Sequence, residues 1–376
     1  MVIYPYPMQF DGVSIQGEML YHGLNEIGDK AVPCDRKADL EKKWIYNSFK
    51  PDVAIGIGYW GDYPDIVAGP QKKGVQPVPW LNADGWVSNY IDKFNEMPLI
   101  LTTSEWVKKT YIRDGVTNKN IFPMPIGIDT KAMSPLPKTD PRVRAIREMV
   151  GVSDETKLIM TIGGDTTSKG SQEVLKALSI VDKEFKDWHY VGKSWYCPKY
   201  HRDDENQIIK DYGLDEKKIT FVEGPSSREF TRAMLCACDV YAAPSRIEGF
   251  GMLQVEAQCC GKPVVSIDAM GIKDTIIHKK TGYLAKVASE IVLEEEWVYP
   301  HQGFPKKMQI KFDTPKVFAV KADENELAEY ILKLCTDNSL AEKIGNQARE
   351  FASEKFSYLK TSKDISDLIK KKLNFE

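Results

Sequence analysis

Two glutamates, Glu248 and Glu256, enclose seven residues that open with Gly249-Phe250-Gly251. An apolar run, Val240 to Ala243, precedes them, and another, Pro263 to Ile267, follows. The spacing predicts strand, turn, a short helix from about Gly251, then strand. The two glycines let backbone amides come close to a ligand and admit unusual φ/ψ. A helix start aims unpaired N–H groups forward, which suits phosphate or hydroxyl oxygens. Glu256 has mostly apolar neighbours (Met252, Leu253, Val255, Ala257, Cys259 and Cys260). Its carboxylate is therefore either on one wet stripe or buried with partners. A vicinal diol such as a ribose is a fitting partner, because an ionised carboxylate only accepts hydrogen bonds. Spacing alone leaves a solvated helix residue and a loop charge equally open.

A second chemical segment runs from Gly163-Gly164 to Lys169-Gly170, after the apolar run Lys157 to Ile162. A lysine at a helix start is a point charge suited to a phosphate, or simply a surface residue. A third group is aromatic: Tyr59, Trp60, Tyr63, Trp80, Trp86 and Tyr90. Such rings could form a platform for a sugar acceptor, with an apolar face and a polar tip. They could equally pack a core. Trp60 and Asp62, directly after a strand end, are the preferred acceptor candidates.

These residues need elements to hold them. The 376 residues predict two domains. Val53 to Ile57, Leu99 to Thr103 and Ile121 to Pro125 read as buried strands. Val75 to Leu81 reads as a weaker one, because Pro77 and Pro79 cannot donate to a ladder. Between them Ser14 to Ile27, Leu40 to Phe49, Asp65 to Lys73 and Ser104 to Asp114 have helical patterns. The chain loosens around Pro135, Pro137 and Pro141, as a hinge would. A second alternation follows, with strands Lys157 to Ile162, Trp188 to Val191, Ile219 to Val222, Val240 to Ala243 and Pro263 to Ile267. This is an α/β pattern of two doubly wound parallel sheets, which bind ligands at the carboxyl ends of their strands. Residues 287–320 show no helical period and read as a flap or contact element. Ser353 to Leu373 reads as a basic amphipathic helix.

Composition narrows the classes. A formal net charge of −3 leaves no basic excess for nucleic-acid phosphates. The five histidines and seven cysteines show no ligand cluster, so no metal is expected. Cysteines set among apolar residues read as reduced core thiols of a cytoplasmic protein. The first ten residues lack a basic n-region and carry two prolines, which argues against a secretory leader. No apolar run is long enough to span a bilayer, so a lipid acceptor would have to be met peripherally, at the surface.

The segment Pro244 to Val265 resembles the signature of retaining glycosyltransferase family 4, "PS-x-x-EGFG…E-A-x-x-CG-x-PVV". Thr103 to Lys109 with Met124 to Asp129 resembles the family's "SEWVKK…IPNG-x-D" run. Gly271 to Asp274 and Thr281 to Leu284 resemble its "GGxPE…TGxL" run, with Asp for Glu. The likeness covers most of the chain, is weakest over residues 1–100 and is absent from 287–320. It implies the GT-B fold, with two Rossmann-like domains facing a cleft and a terminal helix crossing back. Residues 1–140 would bind the acceptor and 141–352, with 287–320 as an insertion, the donor; 353–376 would be the returning helix.

The resemblance also assigns roles. Glu248 would border the donor sugar, Glu256 would bind the ribose, and Gly249, Phe250, Gly251, Met252 and Leu253 would hold hydroxyls and phosphate. Gly163, Gly164 and Lys169 resemble the diphosphate loop "GR…KG", whose arginine is missing here; Arg246 is an alternative cation. Gly12 matches a glycine turn after the first strand. Asn82 or Asp84 stands nearest the position of a family histidine. The implied reaction is retaining, metal-independent transfer of a hexose from a UDP- or GDP-sugar to a hydroxyl of a sugar, glycan or small molecule, without a cofactor. An epimerase of the same fold and an impaired nucleotide-sugar-binding protein are the alternatives. Oligomeric state, hexose and acceptor are not encoded legibly.

Overall fold

The structure, a computed structural model, describes residues 1–9, 11–83, 85–195 and 200–375. Its first apolar runs become β1 (Val2–Tyr4), β2 (Pro33–Asp35), β3 (Val53–Gly58), β4 (Gln76–Leu81), β5 (Ile100–Thr102) and β6 (Ile121–Pro123). Between them lie α1 (Gly12–Glu26), α2 (Asp39–Ser48), α3 (Gly69–Gln71), α4 (Ile91–Asn95) and α5 (Glu105–Arg113). Local chemistry fixes the helix starts: Asp11 accepts from Ser14 N at 2.9 Å and Ser104 from Val107 N at 3.1 Å. The strands form one parallel sheet in the order β2-β1-β3-β4-β5-β6. The helix expected over Asp65 to Lys73 is instead a π-turn, Pro64–Ala68, running into α3. Pro70 has no N–H with which to continue an ordinary ladder.

β4 lies inside the sheet despite its prolines, and the register explains why. Gln76 N and Asn82 N donate towards β3, to Asp52 O and Gly58 O. Positions 77 and 79 therefore face the β5 side, where pairing begins only at Trp80↔Leu101. The missing N–H groups fall where no partner stands.

The second alternation gives α6 (Pro141–Met149), β7 (Lys157–Ile162), α7 (Ser171–Glu184), β8 (Trp188–Ser194), α8 (Tyr200–Asp211), β9 (Ile219–Glu223), α9 (Arg228–Ala237), β10 (Val240–Ala242), α10 (Met252–Cys259), β11 (Val264–Ile267) and β12 (Gly282–Ala285). This sheet is also parallel and runs β9-β8-β7-β10-β11-β12. The Pro-rich segment expected as a hinge belongs to this unit. Arg232 on α9 holds its start by donating to Ser134 O and Ser134 Oγ, both at 2.8 Å.

After β12 the chain forms β13 (Val287–Val298) and β14 (Met308–Ala322), which pair with each other in a two-stranded ribbon. The sequence reading of this segment is a flap or contact element without helical period, and its form is a β-ribbon. In β14, half-buried Met308, Ile310 and Phe312 alternate with exposed Gln309, Lys311 and Asp313, a period of two that a search for helical spacing passes over. α11 (Glu324–Thr336), α12 (Asn338–Lys355) and α13 (Tyr358–Leu373) complete the chain. The tail helix expected from Ser353 is broken before Tyr358, where Ile128 N donates to Phe356 O and Tyr358 N to Ile128 O.

The first compact unit is thus assembled from Met1–Asp129, Val292–Phe318 and Phe356–Glu376; the second from Thr130–Ile291 and Ala319–Lys355. The ribbon's middle packs with the first unit rather than with the donor domain in which the sequence reading places it. Phe304 meets Trp60 edge-on and Phe312 meets Trp86, with ring centroids 6.5 Å and 5.4 Å apart. Lys316 reaches the buried Asp114 at 2.8 Å. α13 lies on α1, where Gly23 permits close approach: a Cβ there would stand 2.1 Å from Ser362 Oγ.

The ribbon therefore completes a core. Phe304→Ala and Phe312→Ala should each cost about 2 kcal/mol in chemical denaturation, less than the ~3–5 kcal/mol of a fully buried ring. Unchanged midpoints for both would mean that the ribbon only rests on the surface.

Candidate functional site

In each sheet the strand order reverses once. Helices following the two strands at that point go to opposite faces, and their loops part to leave a crevice beyond the strand ends. In the second unit the reversal lies between β7 and β10. The loop after β7 is Gly163 to Gly170; the loop after β10 runs from Ala243 to Gly251. Both segments singled out by residue type fall at this one place.

The two loops are locked together. Lys169 Nζ donates to Glu248 Oε2 at 2.6 Å. The lysine stem crosses Gly163 so closely that a Cβ there would lie 2.5 Å from Lys169 Cγ. Arg246 N donates to Ser168 O at 2.8 Å. Gly170, at φ +79°, faces Pro244 O, which a Cβ would meet at 2.3 Å. Gly251, at φ +94°, is the N-cap of α10, and Gly271 N holds Glu248 O at 3.0 Å. Glu205 on α8, unremarkable in sequence, accepts from Thr166 Oγ1 and Ser171 Oγ and so fixes the loop where α7 begins.

The other predicted donor residues divide by contact. Glu256 is fully buried and takes both Arg228 terminal nitrogens, at 2.5 Å and 3.2 Å. Sequence reasoning missed Arg228, which opens α9 with no motif around it. Arg246 is not free to act as the replacement cation: Nε and Nη2 grip Glu173 at 3.0 Å and 2.7 Å, and Nη2 also reaches Gln172 at 2.6 Å. Phe250 buries its ring, so only its backbone faces outward chemistry. Met252 and Leu253 lie half-buried in the first turn of α10, and Gly164 is covered by the Trp195 ring, 3.2 Å from where its Cβ would be.

In the first unit the order reverses between β1 and β3. Gly12 stands exposed at the start of α1, after β1; Trp60 and Asp62 follow β3; Asn82 follows β4. Trp60 is only 2% exposed and packs on Trp86 at 5.1 Å, so it is a core ring and not an acceptor platform. Asp62 is likewise committed, to Arg36 at 2.8 Å and to Tyr59 N at 3.2 Å. Burial pushes its carboxyl up, with Arg36 pulling the other way. Asn82 is half-buried and donates to Gln16 Oε1 at 3.3 Å. Asp84 lies outside the described residues.

Residues 143–296 match the family model described as glycosyl transferases group 1. This segment is similar to group 1 glycosyltransferases. The match falls on the segment that carries Lys169, Glu248 and Glu256. Among curated relatives, a D-inositol 3-phosphate glycosyltransferase of Jonesia denitrificans is 28% identical over 42% of this chain and 38% of its own length. The GDP-mannose-dependent alpha-(1-6)-phosphatidylinositol monomannoside mannosyltransferase of Mycolicibacterium smegmatis is 26% identical over 50% of this chain and 49% of its own. The chain thus matches half or less of these relatives' lengths. Among solved structures, Anabaena HepE in complex with UDP and glucose superposes with a TM-score of 0.72 over 98% of this chain and 99% of that one, at 15% identity. The fold is GT-B, with two Rossmann-like parallel sheets.

The contacts separate the two loop cations. Arg246→Ala should cost about 3–5 kcal/mol in denaturant unfolding, because it leaves the buried Glu173 carboxylate uncompensated. Lys169→Ala, whose partner Glu248 is partly open to solvent, should cost less than about 1 kcal/mol. Equal costs would show that Lys169 also belongs to the structural frame.

Proposed function

We propose that the protein transfers a hexose from a UDP- or GDP-activated sugar to a hydroxyl acceptor, with retention at the anomeric carbon and without metal. The observation that carries this reading is the Lys169–Glu248 pair at the strand-order reversal, 2.6 Å apart and flanked by glycine backbone. Two of the proteins described above support the donor class: one relative is GDP-mannose-dependent and one neighbour was solved with UDP and glucose.

In this reading the first unit binds the acceptor and the second the donor. The acceptor oxygen bonds to the anomeric carbon as the bond from that carbon to the diphosphate oxygen breaks. The acceptor proton passes to a donor phosphate oxygen, so the products are the glycoside and the nucleoside diphosphate. Lys169 leaves Glu248 to face the phosphate, where negative charge builds up in the transition state. Glu248 is then released to accept from a donor sugar hydroxyl. Glu256 faces the ribose, with Arg228 paired to it. The amides of Gly249 to Leu253, at the start of α10, face hydroxyl and phosphate oxygens.

Incubation with labelled UDP- and GDP-hexoses and an acceptor extract, in the presence of chelator, tests this reading. Product with the donor's anomeric configuration by NMR is expected. Lys169→Ala should lower kcat by about a hundredfold with a smaller loss in nucleotide binding. Inverted product, or turnover that needs added metal, would overturn the mechanism. Binding without turnover would leave a nucleotide-sugar-binding protein.

A further inference from the structure

The site as described is poor in free positive charge. Each cation the two loops and their neighbours present is tied to a carboxylate: Lys169 to Glu248, Arg246 to Glu173 and Arg228 to Glu256. A nucleoside diphosphate brings at least two negative charges, and pairs already neutralised offer it little unless they break.

One nearby cation is different. Lys193, next to last in β8, is 3% exposed, yet its ammonium has no hydrogen bond or ion pair among the described residues. The stem is buried and no carboxylate answers the charge among the described residues, which leaves the ammonium available to an anion. Its backbone is part of the loop's frame: Gly163 N donates to Lys193 O at 3.0 Å, and Lys193 stands in register with Ile162, the last residue of β7. Beyond it the strand end runs beside the loop, with Trp195 N donating to Gly164 O at 3.1 Å. Gly163-Gly164-Asp165 is where an arginine is missing from the resemblance. Asp165 does not offset Lys193, because its carboxylate is turned into its own loop, on Thr167 N at 2.9 Å.

We propose that Lys193 is an anion-binding residue of the donor site, its ammonium taking the phosphate-bearing part of the nucleotide from the adjacent strand. The inference rests on the donor reading given above and adds a residue to it. Anionic charge reaching the strand ends finds Lys193 uncompensated among the described residues, whereas Lys169 must first leave Glu248. Lys193 therefore serves binding, and Lys169 the later charge build-up. Burial lowers the Lys193 pKa, and a bound anion raises it again. Affinity is then full at pH below the free lysine's pKa and falls as pH rises through it.

Calorimetric titration of the full chain with UDP and GDP, and with UMP and GMP, tests this across pH. For the diphosphate that binds the wild type, K193M should lose about tenfold or more in affinity, and K193R should recover part of it. The alkaline fall in affinity should flatten in K193M. Ligand-free K193M should melt no lower than the wild type, since methionine fills the same space without an unpaired charge. Unchanged affinity in K193M, or a loss accompanied by a lowered melting temperature and an unaltered pH profile, would overturn the proposal. Failure of both diphosphates to bind the wild type would instead overturn the donor reading, and the role of Lys193 with it.

Discussion

Parallel strands can be covered on both faces only if the chain changes direction somewhere in the sheet. In the second unit that change falls between β7 and β10. Helices leaving these strands diverge, so two loops must bridge an opening with little side-chain volume between them. The glycine placement follows. Gly163 gives way to the Lys169 stem, Gly170 to the Pro244 carbonyl, and Gly271 to Gly249, whose oxygen a Cβ would meet at 2.1 Å.

The same constraint explains why charge in this region is so fully paired. A crevice at strand ends is partly shielded from water, and an isolated charge there is costly. Glu256 in α10 and Glu173 in α7 are both buried, and each has recruited an arginine from a neighbouring element. These pairs set the loops rigidly, as preorganised binding requires. They also make the exception at Lys193 stand out.

What could be read from the sequence was whatever depends on local pattern. The apolar runs, the glycine pairs and the glutamate spacing are contained within short windows, and they led to β7, β10, α10 and the two loops. Contacts over long separations were not legible. Arg228 and Glu256 are 28 residues apart with no motif joining them. Trp60 reads as platform or core until Phe304, on a distant ribbon, is seen to cover it. The prolines of β4 argue against a strand by type, and only the register with β3 and β5 removes the objection. Lys193 looks like the polar end of a strand; its burial, and its lack of a partner among the described residues, are properties of the folded chain alone.

The first unit has a further property that comes from how it is pieced together. Its sheet is finished by residue 123, but α13, which packs on α1, comes much later: the contact between Glu26 and Tyr358 closes a separation of 332 residues. During synthesis, α1 emerges early with the face that α13 will cover still open, and waits while the whole second unit is made. Closing so long a loop costs little more entropy than closing a moderate one, but the contact cannot form until the segment exists. The unit that holds the first sheet is therefore not completed until α13 has been made, after the segments of the second unit.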